Sequence, residues 1–270
     1  MTLHVAIALL GGGTGKSTTA VNLGHALALQ GRNTLIVDTD RQSTDAVFLG
    51  QEPDAGLSRW LGSRLMGLDA SLSEQITTSG RMFLDLLPDS QETDKLQKML
   101  VAAETPVTWL RSQVSASADV FEQYDFVLWD TSPAGRLLDI VLFLADLVIL
   151  PTPADIKGQA SLADTLQILP PSVTRIILPT RVQPRQSVPA AFLGGFTEDY
   201  ADSIFRVRGV PAFVPERAAV RTAQAMGRTI FEHDPFCDVA GVYAALAGAV
   251  AHMAGKGAEV DMMELMEVTV

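Results

Sequence analysis

A glycine-rich loop near the start of the chain constrains its fold more than any other feature. The mostly apolar segment Leu3–Leu10 runs into Gly-Gly-Gly-Thr-Gly-Lys-Ser-Thr at positions 11–18, and a helical pattern over Ser17–Leu29 follows. Glycines between a strand and a helix let backbone N–H groups close around phosphate oxygens at the positive end of the helix. In such a loop Lys16 reaches the β- and γ-phosphates, and the Ser17 hydroxyl binds Mg²⁺. The sequence therefore predicts a phosphate loop, with a plain glycine-rich turn as the alternative, formed by Gly11, Gly12, Gly13, Thr14, Gly15, Lys16, Ser17 and Thr18.

Apolar runs of strand length alternate with helical patterns along the rest of the chain. This βαβ rhythm predicts an α/β fold, a single domain with a doubly wound, mostly parallel sheet, and the phosphate loop makes it one of the P-loop NTPase type. The predicted strands are Leu3–Leu10, Thr34–Val37, Phe83–Leu87, Phe126–Trp129, Leu147–Leu150, Thr174–Leu178 and Val210–Val214. The predicted helices are Ser17–Leu29, Lys95–Ala102, Gly158–Ile168, Arg217–Met226 and Val239–Met253.

The predicted domain covers residues 1–254, and residues 255–270 form an acidic C-terminal tail. The irregular segment Gln51–Gly80 is interpreted as a peripheral helical insertion.

Composition narrows the possible functions of this chain of 270 residues. Its formal net charge of −11 argues weakly against wholesale nucleic-acid binding, although local patches remain possible. Cys237 is the only cysteine, so an internal disulfide and an intrachain four-cysteine cluster are excluded, and a reducing cytoplasm is expected. We expect neither a signal peptide nor a transmembrane helix.

Four motifs in order resemble ParA/MinD-type ATPases. They are the loop with Ser17–Leu23, the segment Leu35–Ser43 that is similar to V-D-x-D-P-Q, the segment Tyr124–Pro133 that is similar to Y-D-x-x-x-x-D-T-P-P, and the late segment Arg217–Glu232. The resemblance implies ATP and Mg²⁺ as cofactors and slow intrinsic ATP hydrolysis.

The resemblance also implies roles for single residues. Asp40 would orient or activate the attacking water, Asp38 would support the loop or the Mg²⁺ shell, and Asp130 would hold Mg²⁺ through Ser17 or a water molecule. For Asp38 and Asp40 the alternative is strand-end capping. The nucleotide base of ATP would lie against Thr180, Val214 and Pro215.

The loop departs from the family pattern x-K-G-G-x-G-K-[ST] at one position. Gly11 stands where the family has a signature lysine, which in an ATP-bound dimer reaches the partner's phosphates; a similar loss marks ParA-like proteins that space carboxysomes. Lys157 and Arg41 are the candidates for replacing that charge. Lys157 is also interpretable as a plain solvated residue near a helix start.

A basic segment lies within this acidic chain. Between Arg175 and Arg228 there are eight arginines and four acidic residues, a net charge of +4. Such a surface suits sequence-independent contact with phosphates, whereas arginines scattered for solubility are the alternative. The DNA-binding candidates are Arg206, Arg208, Arg217, Arg221 and Arg228.

The leading hypothesis is an ATPase that positions a cargo such as a plasmid, a chromosome region or a protein compartment. It would form a homodimer with ATP, bind DNA nonspecifically on the nucleoid, and meet a ParB-like or other adaptor protein. A MinD-like ATPase that cycles on a membrane is the alternative, disfavoured because the last sixteen residues have four acids and only Lys256. An iron–sulfur reductase is disfavoured by the single cysteine.

Overall fold

A seven-stranded sheet forms the centre of the fold, and all its strands except β3 are parallel. The computed structural model describes residues 2–183 and 198–255. The strand order is β3-β4-β2-β5-β1-β6-β7, and only the β3–β4 pair is antiparallel. The strands are β1 (Leu3–Ile7), β2 (Thr34–Asp38), β3 (Thr77–Arg81), β4 (Leu84–Leu87), β5 (Phe126–Asp130), β6 (Leu147–Pro153) and β7 (Thr174–Thr180), and a separate hairpin contains β8 (Arg206–Val207) and β9 (Val210–Pro211).

Helices cover both faces of this sheet. They are α1 (Lys16–Leu29), α2 (Thr44–Phe48), α3 (Gly56–Leu65), α4 (Thr93–Ala102), α5 (Pro106–Ala116), α6 (Ala118–Phe121), α7 (Arg136–Leu144), α8 (Ile156–Ile168), α9 (Ala218–Ala225), α10 (Ile230–His233) and α11 (Asp238–Met253). The parallel strands are buried on both faces because helices lie above and below them, which explains their continuous apolar runs.

Two apolar cores lie on opposite faces of the sheet. Successive strand residues point to opposite faces, so Ile36 joins the core beneath α1 and α11, while Leu35 and Val37 join the core beneath α3, α7 and α8. The helix α1 is buried along most of its length and packs against α11. The phosphate loop therefore leads into a helix that the core holds in place.

The predicted fold class is confirmed, but two sequence predictions are wrong in detail. The segment Val210–Val214 is no strand of the central sheet. Val210–Pro211 pair in the β8–β9 hairpin, because the exposed turn at Arg208 and Gly209 brings them back onto Arg206–Val207, and Val214 makes separate backbone hydrogen bonds with Pro179 and Val182. The segment Gln51–Gly80 is not peripheral, since α3 buries Trp60 and Leu61 in the core and β3 extends the sheet. Most of the acidic tail, residues 256–270, lies outside the described residues.

Candidate functional site

The phosphate loop connects β1 to α1 and adopts a conformation that requires glycine. Gly11, Gly13 and Gly15 have φ angles of 99°, 71° and 99°, which L side chains rarely adopt. The Lys16 ammonium folds back into this loop and donates hydrogen bonds to the carbonyl oxygens of Leu9 at 3.2 Å and Gly11 at 3.0 Å. Burial lowers the pKa of Lys16, an effect opposed by the negative charges of Asp130 and Asp40. The loop thus holds a buried cation where phosphate oxygens would lie.

The loop forms one wall of a cavity of about 750 Å³. Thr180, at the end of β7, donates a hydrogen bond to the Thr14 carbonyl oxygen at 3.0 Å, and Arg181 donates one to that of Gly13 at 3.3 Å. Val214 and Pro215 lie in the same wall and join Val182 through a backbone hydrogen bond and a short β-bridge. The residues that the sequence predicts for the base-binding side therefore line the same cavity as the loop, and Thr180 contacts the loop directly.

Three buried carboxylates form a cluster close to the loop. Asp38 and Asp130 end β2 and β5 and lie opposite each other in the sheet register, and Asp45 comes from the first turn of α2. All three side chains are fully buried, and one oxygen of each lies within 4.8 Å of the others. The sequence predicts Asp38 and Asp130 as metal ligands; it does not predict Asp45.

Burial raises the pKa of all three carboxyl groups, because removing a carboxylate from water disfavours its charged form. The pKa of Asp130 rises to about 7, with the Ser17 hydroxyl and Lys16 favouring the ionised form. The pKa values of Asp38 and Asp45 rise well above the ordinary range, through burial first and the neighbouring Asp130 second. Oxygen ligands without partners, next to a Ser17 hydroxyl, are a donor set that fits Mg²⁺.

Asp40 is half-buried and lines the cavity. Its backbone N–H donates to Asp38 Oδ1 at 2.8 Å, and its own Oδ1 accepts from the Gln42 backbone N–H at 3.1 Å. The carboxylate is therefore held at the cavity edge by local backbone contacts. This position suits a group that orients a water molecule.

The two candidates for replacing the signature lysine lie in different places. Arg41 lines the cavity and forms an ion pair with Asp94 at 3.1 Å. Lys157 is exposed in the first turn of α8 and, within the described part of the chain, is not among the residues of the cavity wall. The structure brings Arg41 to the site and leaves Lys157 outside it.

The candidate DNA-binding arginines do not form one helix face. Only Arg221 lies within α9, because Arg217 precedes the helix and Arg228 follows its end. Arg217 and Arg221 line the nucleotide cavity and pair with Asp238 and Glu216. Arg206 and Arg208 lie on the β8–β9 hairpin instead.

Helix α9 and the turn after it touch two parts of the site. Gln224 donates a hydrogen bond to Thr18 Oγ1 at 2.8 Å. The turn packs main chain to main chain on the end of α2, where a Cβ at Gly227 would lie 2.6 Å from the Gly50 Cα. Arg81 of β3 bridges both segments by donating to the carbonyl oxygens of Leu49 and Gly227. Neither Gln224 nor Arg81 is predicted from sequence, since no motif marks them.

The fold and the phosphate loop define a P-loop nucleoside triphosphatase. Residues 2–175 match the model of the family AAA_31, described as an AAA domain. The chain belongs to this family, and within it to the ParA/MinD-type ATPases with carboxysome-positioning relatives.

Similar proteins agree with this assignment. The chain is 31% identical over 173 residues to the maintenance of carboxysome distribution protein A of Synechococcus elongatus, covering 62% of this chain and 64% of that protein. It is 27% identical to the sporulation initiation inhibitor protein Soj of Bacillus subtilis, covering 92% of this chain and 97% of that protein. The match thus spans just under two thirds of the Synechococcus relative's length.

A solved structure shares the fold. The ATP complex of a Cyanothece McdA variant superposes with a TM-score of 0.77 at 22% identity, covering 96% of this chain and 98% of that one. Within residues 2–183 and 198–255, no helix is long and apolar enough to cross a bilayer.

Proposed function

We propose that this chain is a cargo-positioning ATPase that binds Mg²⁺–ATP, dimerises with ATP bound and releases DNA after hydrolysis. The observation that carries the proposal is the buried Lys16 ammonium in a glycine loop beside a cluster of three buried carboxylates, most of whose oxygens have no partner in the described part of the chain. A buried cation next to buried anions is the pairing that a Mg²⁺–triphosphate needs. Relatives named for carboxysome distribution and for plasmid partition support the positioning role.

The residues of the site divide the work of phosphoryl transfer. Lys16 exchanges its hydrogen bonds to Leu9 and Gly11 for phosphate oxygens, and the loop N–H groups hold the same phosphates. Ser17, Asp38 and Asp130 would hold Mg²⁺, and the ion would supply positive charge against the phosphates. Asp40 orients the attacking water from the cavity edge. Because no strong base is built into this arrangement, we expect slow intrinsic turnover that an adaptor protein stimulates.

Dimerisation requires positive charge between two apposed triphosphates. Like charges a few ångströms apart repel by several kcal/mol at an effective dielectric of about 20. Gly11 contributes no charge, so Arg41 or Lys157 must. The position of Arg41 in the cavity wall supports it over Lys157.

Nonspecific DNA binding is assigned to the basic segment. Arg206 and Arg208 on the hairpin support this role most directly, because they lie outside the nucleotide cavity and are exposed. Arg228 is the third member of this group. Arg217 and Arg221 are better placed to sense the nucleotide, since both line its cavity. The proposed location is the nucleoid, and the cargo adaptor is ParB-like or of another kind.

The membrane-cycling alternative depends on the segment that follows α11. That segment lies outside the described residues, so no specific observation favours this alternative. Co-sedimentation with anionic liposomes and ATP tests it alongside DNA.

Two experiments test the proposed function. Calorimetry with Mg²⁺–ATP should show binding to the wild type and none to Lys16→Ala, because that lysine is the only one in the loop. Unchanged affinity in Lys16→Ala would overturn the phosphate-loop assignment.

DNA retention on random-sequence duplex tests the second half of the proposal. Retention should require ATP and fall with salt, and replacing Arg206 and Arg208 by Ala should lower the log–log salt slope by about 0.9 per lost phosphate contact. Arg59→Ala is the matched control, because Arg59 is an exposed arginine on α3 paired with Asp54. Equal slopes for the double variant and the control would remove the hairpin from the DNA-binding surface.

A further inference from the structure

The carboxylate cluster contains one member that the phosphate-loop chemistry does not account for. Asp38 and Asp130 end neighbouring strands of the sheet, the usual location of metal-binding residues in open α/β folds. Asp45 comes from another element, α2, and is held there by the turn before it. Ser43 starts this helix with a φ of 52° and donates its hydroxyl to the Asp89 carbonyl oxygen at 2.6 Å. The fold therefore fixes a third carboxylate against the first two.

Most carboxylate oxygens of this cluster lack a hydrogen-bond partner within the described residues. Asp38 Oδ1 accepts from the Asp40 backbone N–H, but the other five carboxylate oxygens are buried and have no hydrogen-bond partner of normal geometry within the described residues. The Ser17 hydroxyl is near enough to Asp130 to lower its pKa. A buried charge without a partner costs far more than a paired one. Asp45 and Asp130 each have both oxygens in this state at zero exposure, and their two carboxyl groups contact each other.

The nearest ammonium does not satisfy the cluster. Lys16 Nζ donates to Leu9 and Gly11 carbonyl oxygens, and in the described structure it forms no ion pair within 4.0 Å of any carboxylate. Ser17 lines the cavity, and its hydroxyl contacts the Asp130 carboxyl group, so the cluster adjoins the cavity. Three converging carboxylates with free lone pairs are the donor set of a hard divalent cation.

We propose that Asp45 is a third carboxylate of the metal site, and that with it the site binds one divalent cation before any nucleotide is present. The inference rests on the proposed function only for the location of the metal site. A site with two carboxylates and a hydroxyl relies on nucleotide phosphates to complete the coordination of Mg²⁺. The third carboxylate supplies enough negative charge for the cation to stay without them.

Nucleotide-free protein, stripped with EDTA and dialysed, provides the test. Mn²⁺ is the probe, and the loss of the free-ion signal in electron paramagnetic resonance measures its binding. We expect one Mn²⁺ per chain, displaced by excess Mg²⁺. Replacing Asp45 by Asn should weaken binding by about ten- to a hundredfold, as the loss of a metal-supporting group usually does. Asp94→Asn is the matched control, because this exposed acid lines the same cavity outside the cluster.

The outcomes separate this inference from the proposed function. Wild-type protein that binds Mn²⁺–ATP but no Mn²⁺ alone would overturn the inference and leave the ATPase proposal intact. Equal Mn²⁺ affinity in Asp45→Asn and the wild type would also overturn it. Wild-type protein that binds neither Mn²⁺ nor Mn²⁺–ATP would remove both.

A second measurement does not depend on a variant that folds. Crystals of the nucleotide-free wild type grown with Mn²⁺ should show an anomalous peak within bonding distance of an Asp45 oxygen. A peak that contacts only Asp38 or Asp130 would refute the role of Asp45.

Discussion

Gly11 gives the sharpest test of the loop conformation, because its neighbour Gly12 serves as a matched control. Gly11 has a φ of 99°, and a Cβ there would lie 3.0 Å from Ser161 Oγ on α8. A Cβ at Gly12 would meet nothing within 4 Å, and its φ lies outside the left-handed range. The perturbation is therefore the same methyl group added at two adjacent positions of one loop.

The magnitude follows from the backbone. A residue other than glycine costs about 1–2 kcal/mol in a left-handed conformation. Each Gly→Ala change also removes about 0.4–1 kcal/mol of unfolded-state entropy, and this gain is common to both variants. It cancels in their difference, so Gly11→Ala should be less stable than Gly12→Ala by about 1–2 kcal/mol.

The assay is urea unfolding of the nucleotide-free protein, followed by circular dichroism. Ser161→Ala removes the Oγ contact but leaves the Ser161 Cβ position 3.9 Å away. The double variant Gly11→Ala/Ser161→Ala should therefore recover only the part of the lost stability that the Oγ contact causes. Full recovery would show that the contact, and not the φ angle, causes the loss. Equal free energies of unfolding for Gly11→Ala and Gly12→Ala would refute the reasoning. Gly11→Lys should carry the same backbone strain as Gly11→Ala. Inserting the family's lysine at this position should therefore also destabilise the loop.

Three further changes test the site. Asp40→Ala should bind ATP as the wild type does and lose turnover, because its carboxylate orients the water; a wild-type rate in a phosphate-release assay would remove that role. In sedimentation velocity with a slowly hydrolysed ATP analogue, Arg41→Ala should weaken the dimer more than Lys157→Ala, and if both variants still dimerise fully the compensating charge lies elsewhere. Asp130 binds a proton more tightly in the folded chain, since burial raises its pKa from 3.8 to about 7. In EDTA the free energy of unfolding should therefore gain a contribution as pH falls below about 7, with a slope of up to about 1.4 kcal/mol per pH unit. Subtracting the pH profile of the Asp130→Asn variant from that of the wild type isolates this contribution. Parallel profiles of the free energy of unfolding for the two proteins would contradict the raised pKa of Asp130.

The sheet was predictable because its parallel strands are buried on both faces and read as apolar runs. The edge strand β3 has the sequence Thr-Thr-Ser-Gly-Arg, which carries no apolar alternation, and only its antiparallel pairing with β4 makes it a strand. The hairpin β8–β9 was misread because Val210–Val214 is apolar in sequence while Val210 is exposed. Whether an apolar residue is buried depends on how the elements pack, and a single sequence does not show that packing.

The phosphate loop was predictable because a motif fixes the backbone and the chemistry together. Asp45 was not, since its burial depends on the left-handed turn at Ser43 and on the contact of that residue with Asp89. The cavity position of Arg41 was named only as a rival to Lys157, because sequence places both after strands and does not give their distance from the loop. Residues beyond a strand's end are placed by turns, and turns leave weaker patterns than helices and strands.

The main-chain contact between Gly50 and Gly227 has a mechanical consequence. Two segments that touch without side chains between them have no rotamer that can take up a displacement. One segment ends α2, which carries Asp45, and the other follows α9, which carries Gln224 against Thr18. A shift of α2 on filling the metal site must therefore either move the turn after α9 with it or open a gap at this contact, which Arg81 bridges.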